Sequence, residues 1–230
     1  MNILAIDTST LRLGIGIVTD DGESFSRRWA DEGHSAPLFG RIESAMDQLG
    51  LGLGDIDLLS VISGPGSFTG LRIGMAGVLG WAVSAGLPVQ SVDSFAAMRA
   101  SVPDSIYPLL IAIHSRGGDF YMQYLASPDG TEDSEPFMGS VESLSSLPSD
   151  RCKVCGPGTV KLTELMNSAQ KGQFESAGSG YFEPDMSAVC RVAGELFTKR
   201  ETAPDDYKIE PYYMTLSQAQ IKFESRERRL

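Results

Sequence analysis

The sequence predicts an α/β protein of two subdomains, each a mixed sheet flanked by helices. Three observations carry this. The chain opens on consecutive strands joined by tight polar turns, it then alternates helix with strand, and from Tyr107 the same series begins again.

The apolar run Ile3 to Ile6, the polar turn Asp7-Thr8-Ser9-Thr10 and a second run from Leu13 to Val18 form a hairpin. Asp20-Asp21-Gly22 turns the chain into a third strand through Phe25 to Trp29. From Ser35 to Leu49 the residues Leu38, Ile42, Ala45, Met46 and Leu49 recur at helical spacing, with Gly50 as the stop. Ile56 to Ile62 is a buried strand, Leu71 to Ala85 a second helix, Pro88 to Val92 a fifth strand, and a short helix follows Asp93. The second series has a strand at Tyr107 to Ile113, a turn at His114-Ser115-Arg116-Gly117-Gly118 and a strand at Phe120 to Leu125. A short helix near Val141 to Leu147, a strand at Cys152 to Cys155, helices near Val160 to Met166 and Met186 to Lys199, and an irregular acidic tail complete it. The boundary at Val102-Pro103-Asp104 divides 1–104 from 105–230.

Composition narrows the function classes. A chain of 230 residues with 42% hydrophobic and 21% charged residues is ordinary for a globular protein. Its net charge of −11, with basic residues scattered apart from Lys222 to Arg229, argues against holding RNA alone, because phosphate neutralisation needs a basic face. A partner carries the RNA, or there is none. The first apolar run is too short for a secretory signal, which predicts a cytosolic protein. The uncharged stretch Ile73 to Val89, interrupted by Pro88, reads as a buried helix and strand, so no membrane contact is expected. Cys152-x-x-Cys155 lies on a strand without two further ligands nearby and reads as structural.

Two motifs could carry chemistry. In Asp7-Thr8-Ser9-Thr10, hydroxyls and amides can cradle a phosphate while the carboxylate holds Mg²⁺ through water; equally, these residues make a plain turn. Gly64-Pro65-Gly66-Ser67-Phe68-Thr69-Gly70-Leu71-Arg72-Ile73-Gly74 is no Walker A loop, since no Gly-Lys-Ser/Thr follows. Thr69 is a candidate helix N-cap, and the loop could receive an anion or simply connect two elements tightly. Gly74, Gly77 and Gly80 recur near one helix face, predicting close approach of the 35–49 helix or of a second subunit.

Together, Asp7-Thr8-Ser9-Thr10, His34 opening a helix, and Ser63 to Gly74 resemble the TsaB (YeaZ) family, non-catalytic paralogues of TsaD. The second half is similar in Arg116, Phe120-Tyr121 and Pro211-Tyr212-Tyr213. The resemblance implies an actin-like, sugar-kinase-like (ASKHA) fold. It implies a scaffold that pairs with TsaD, works with the ATPase TsaE, and meets tRNA only through the complex. A separate enzyme would supply threonylcarbamoyl-AMP, and the product would be N6-threonylcarbamoyladenosine beside the anticodon of tRNAs reading ANN codons. The implied interface is Ser67, Phe68, Thr69, Leu71, Arg72, Gly74 and Gly77 with Leu38 and Ile42, serving a homodimer when the partner is absent. Asp7, Thr8, Ser9 and Thr10 would be a vestigial phosphate turn. No cofactor is expected on the chain alone, with ATP and Mg²⁺ entering at the level of the complex.

Catalysis is not expected here. The catalytic paralogue carries two metal-binding histidines at i and i+4 after the fifth strand, where this chain has Asp93-Ser94-Phe95-Ala96-Ala97-Met98. His34 and His114 are the only histidines, Leu38 stands one turn beyond His34, and His114-Ser115-Arg116 replaces the family's Asp-Ala-Arg. The alternative is an actin-fold small-molecule phosphotransferase or ATPase. A glycoprotease-like hydrolase fits less well, because no histidine is placed beside a nucleophile and no G-x-S-x-G occurs.

Overall fold

The computed structural model describes residues 1–30, 38–148, 151–200 and 207–214. The first half runs β1 (Ile3–Asp7), β2 (Arg12–Val18), β3 (Ser24–Ala30), α1 (Leu38–Gln48), β4 (Leu58–Gly64), α2 (Phe68–Ala85), β5 (Val89–Asp93) and α3 (Ser94–Arg99). The second runs β6 (Leu109–His114), β7 (Phe120–Leu125), β8 (Phe137–Gly139), a 3-10 segment (Val141–Ser146), β9 (Cys152–Cys155), α4 (Thr159–Leu165), α5 (Ser168–Gln173), β10 (Phe174–Ser176) and α6 (Met186–Thr198). His34, the predicted helix residues 35–37 and the basic segment 222–229 lie outside the described residues.

The two halves share one topology. The first sheet is ordered β3-β2-β1-β4-β5, and the second, in corresponding order, β8-β7-β6-β9-β10. In each, the central strand is antiparallel to the next strand and parallel to the one reached through a helical crossover. The duplicated α/β plan expected from sequence is therefore present strand for strand.

Packing joins the halves by exchange. Leu38, Ile42, Ala45 and Met46 of α1, with Met75, Val78 and Ala82 of α2, cover one face of the first sheet. The opposite face is covered by α6, whose Met186, Val189, Cys190 and Ala193 pack with Ile3, Ala5, Leu58 and Ile62. Phe95 and Met98 of α3, which ends the first half, pack with Leu109 and Ile111 of the second sheet. β1 to β5 make the first sheet and β6 to β10 the second, while α6 and the 207–214 segment return to the first sheet: Ile209 joins its core, and Tyr212 N–H donates to Ser63 O at 2.7 Å. A purely sequential boundary misses this, because the apolar row of α6 needs the sheet face that α1 and α2 leave bare.

Several boundaries move. The second helix begins at Phe68, and its N-cap is Ser67, whose hydroxyl accepts from Gly70 N–H at 3.2 Å; Thr69 is inside the first turn. That helix, α2, is long and apolar enough to cross a membrane by composition, yet Leu71, Met75, Val78 and Ala82 are buried within the molecule. Cys152 and Cys155 point to opposite faces of their strand and into different cores, as an odd spacing on a strand requires. Burial pushes the Cys152 thiol up to about 12 and Cys155 higher still, so neither is a ready thiolate.

Candidate functional site

Two regions of the first subdomain carry the residues singled out from sequence: the polar turn after β1, which faces the cleft between the halves, and the α1–α2 side.

At the turn, Asp7 is fully buried. One carboxylate oxygen accepts from Ser9 N–H at 2.8 Å and the other from Arg28 Nη2, also at 2.8 Å. Arg28 comes from β3, where it stands opposite Gly14 of β2. Thr8 Oγ1 donates to Gly70 O at 2.7 Å, and Ser67 N–H donates to Ser9 O at 2.7 Å. The 64–70 loop thus lies directly on the turn: a Cβ at Gly66 would sit 2.6 Å from Ser9 O. The carboxylate, a turn amide and a turn hydroxyl are consumed internally, and a guanidinium stands beside Asp7 where a cation would.

Arg28 also reaches the segment leading into α6. Its Nη1 lies 3.4 Å from Glu183 Oε2, and its Nε donates to Pro184 O at 3.0 Å. Thr10 Oγ1 donates to Glu183 at 3.3 Å. Burial raises the Glu183 carboxyl to about 7, against the opposing pull of Arg28 and Arg12. A cavity of about 670 Å³ opens here, lined by Arg12, Arg27, Arg28, Ser101, Glu183 and Asp185 among others.

The corresponding turn of the second half differs. His114 ends β6 as Asp7 ends β1, but it is exposed, with Nε2 3.1 Å from Gly117 O and its ring edge-on to Phe120 at 5.4 Å. Gly64-Pro65-Gly66 after β4 has its counterpart in Gly156-Pro157-Gly158 after β9. The first glycine of each has positive φ, +111° and +94°, and each loop presses on the hairpin of its own half. This repeated tripeptide registers the two halves in sequence. Among the described residues, no group of three or more His, Cys, Asp or Glu side chains is placed to hold a metal ion.

On the other side, a groove of about 810 Å³ runs between α1 and α2. Phe39, Ile42, Met46, Leu53 and Trp81 supply its apolar lining, Gly77 and Gly80 its floor, and Glu43 and Asp47 bring charge to it. Phe39 and Leu53 are 58% and 63% exposed, and Val83 nearby is 64% exposed. Of the residues predicted for an interface, Leu38, Ile42 and Leu71 are buried in this chain's own core. Phe68 stacks on Tyr213 at 4.9 Å, lies 3.9 Å beneath the Arg72 guanidinium, and Arg72 Nε donates to the Tyr213 hydroxyl at 3.1 Å. The structure thus gathers Phe68 and Arg72 near capping Ser67 and exposed Thr69, about two turns from Gly77 and the groove.

The three glycines of α2 do not share one face. Steps of three residues turn a helix back by about 60°, so the series spans about 120°. Gly74 meets Thr8, Gly77 sits 3.4 Å (as a Cβ) from Leu38 of α1, and Gly80 has nothing within 4 Å. Arg28, Glu183 and Phe39 are not marked in the sequence, whereas Gly80 is. The β2–β3 pairing could have placed Arg28 beside the turn, whereas nothing local marks Glu183.

A family profile described as TsaD, tRNA N6-adenosine threonylcarbamoyltransferase, matches residues 28–128. The chain is 24% identical over 225 residues to the tRNA threonylcarbamoyladenosine biosynthesis protein TsaB of Haemophilus influenzae, covering 97% of this chain and 86% of that protein. It is 31% identical over 123 residues to the protein of that name from Escherichia coli, covering 53% of each. In fold it is similar to the solved structure of YeaZ from Pseudomonas aeruginosa, with a TM-score of 0.73 and 22% identity over 93% of this chain and 99% of that one.

Proposed function

We propose that the chain is a member of the TsaB/YeaZ family, paralogous to TsaD, and a cytosolic, non-catalytic subunit of the assembly that forms threonylcarbamoyladenosine on tRNA. Its task is to seat and activate the TsaD-type paralogue, with the TsaE-type ATPase as a further member and tRNA held by the assembly. In the absence of the paralogue a second copy of this chain takes the same place.

The observation that carries the reading is the open apolar groove between α1 and α2. A largely buried Trp or Phe stabilises a fold, whereas an exposed Phe39 and Leu53 beside a glycine-floored groove are apolar surface left for a partner. Gly80, where a Cβ would meet nothing within 4 Å, lets a partner's side chains approach the α2 backbone. The observation that argues against chemistry is at the turn: Asp7 is spent on Arg28, and His114 brings no second carboxylate. At the place of the paralogue's histidine pair, Asp93 caps α3 by accepting from Phe95 and Ala96 N–H, while Phe95, Ala97 and Met98 are buried. That helix packs where a metal-binding one would ligate. No cofactor is assigned to this chain alone.

Reconstitution tests the proposal. The purified chain should form no threonylcarbamoyladenosine, and adding it to a mixture of TsaD, TsaE, threonylcarbamoyl-AMP synthase, ATP and tRNA should restore product. Modification by the chain alone, or full activity of the mixture without it, sinks the reading.

A further inference from the structure

The cleft holds a buried guanidinium nitrogen that its neighbouring carboxylates leave without a hydrogen bond. In a chain of net charge −11, Arg12 at the start of β2 and Arg28 on β3 line one cavity with Glu183 and Asp185, while Arg27, which also borders it, turns its guanidinium over the Trp29 ring at 5.3 Å. Arg28 is mostly buried, and its Nη1 has no hydrogen-bond partner, because the Glu183 oxygen 3.4 Å away is close enough for an ion pair but not aligned for a hydrogen bond. A buried guanidinium N–H without an acceptor is costly, and guanidinium groups pair best with two-oxygen anions.

We propose that this cavity is a binding site for a small oxyanion, the carboxylate or phosphate end of a metabolite, held by Arg28 and Arg12, with Glu183 as the protein's own competing carboxylate. Glu183 arrives on the segment 182–185 and occupies the position between Arg28, Arg12 and Thr10 that an external oxyanion would take. The charged groups facing Glu183 are of both signs. Asp7 on β1 repels it, Arg28 on β3 and Arg12 on β2 attract it. On its own segment, Asp185 is spent on Ser26 and Ser187 and lies near Arg191 of α6. Serine hydroxyls at Ser101 and Ser179 line the same space, and the volume of about 670 Å³ admits a molecule well beyond a bare ion. Burial already holds the Glu183 carboxyl near neutrality at about 7, so an arriving anion is accommodated by proton uptake at Glu183 rather than by breaking a strong pair.

The test is calorimetric titration of the full chain with sulfate and, separately, acetate, neither of which changes charge between about pH 6 and about pH 8. Saturable one-to-one binding is expected, roughly tenfold tighter at the lower pH, because affinity follows the protonated fraction of Glu183. Sulfate binding better identifies a phosphate-like ligand, and acetate binding better a carboxylate. Glu183→Gln should bind with the low-pH affinity at both pH values. The Arg12→Ala exchange, at an exposed position, should weaken binding at least about tenfold. Absence of saturable binding overturns the proposal, as does a pH dependence that persists in Glu183→Gln. Binding unchanged in Arg12→Ala would mark an adventitious ion only, and overturns it too.

Discussion

The two sides of the first sheet solve opposite problems. On the cleft side, a turn of the kind that could hold a phosphate and a metal is closed by the protein's own groups: Arg28 against Asp7, and the 64–70 loop against Thr8 and Ser9. On the α1–α2 side, apolar groups that would bury well are left exposed around a groove. The polar motif of the turn is thus spent within the chain, and the chain's working surface is better judged from which groups remain unsatisfied. Polar groups satisfied inside the chain are structure; apolar surface left bare is an invitation to a partner.

The largest expected effect breaks the closed side. Asp7→Ala leaves the largely buried Arg28 without its main counter-charge and should cost about 3–5 kcal/mol of stability. A denaturant titration showing a loss below about 1 kcal/mol would mean the pair is not what closes the turn.

Next comes the open side. Gly80→Leu adds bulk to the groove where a Cβ meets nothing within 4 Å, whereas the same change at Gly77 would press on Leu38 of α1 within this chain. Gly80→Leu should weaken partner binding at least about 100-fold, near 2.7 kcal/mol, yet leave the isolated chain as stable or up to about 1 kcal/mol more so, since a helical glycine has been removed.

Glu183 sharpens the comparison through pH. Its folded carboxyl is raised to about 7 from an ordinary 4.5, so its contribution to stability is fully present below about pH 4.5 and is lost as pH rises through about 7. Glu183→Gln should therefore be more stable than the parent at about pH 8, by about 1–3 kcal/mol, with the difference shrinking towards about pH 5. Thermal melts across that range check it, and equal stability at the higher pH would show that Arg28 compensates the buried charge in full. The smallest effect is Ser67→Ala, which removes the α2 cap and should cost about 1 kcal/mol without touching the groove; chemical denaturation resolves a change of that size.

Much of the fold was legible. Apolar runs gave the central strands, helical spacing gave α1 and α6, and the recurring order of elements gave the duplication. The three-residue strands β8 and β10 were not, because so short a run has no period to read. The candidate site was legible as motifs but not as a state. Asp7 is neutralised by a residue two strands away, and Glu183 approaches from the far end of the chain, so neither contact leaves a local signature. The glycine row of α2 suggests one face, but helix geometry turns Gly74 towards Thr8 and Gly77 towards Leu38, and of the three only Gly80 is left open.

The α1–α2 groove is tested most directly by an equilibrium sedimentation titration of the chain, wild type and Gly80→Leu, against the TsaD-type paralogue. A one-to-one complex is expected for the wild type and none for Gly80→Leu at the same concentrations, with both chains equally folded by circular dichroism. A Gly80→Leu chain that binds as tightly as the wild type would contradict the claim that the α1–α2 groove is the working surface of this protein.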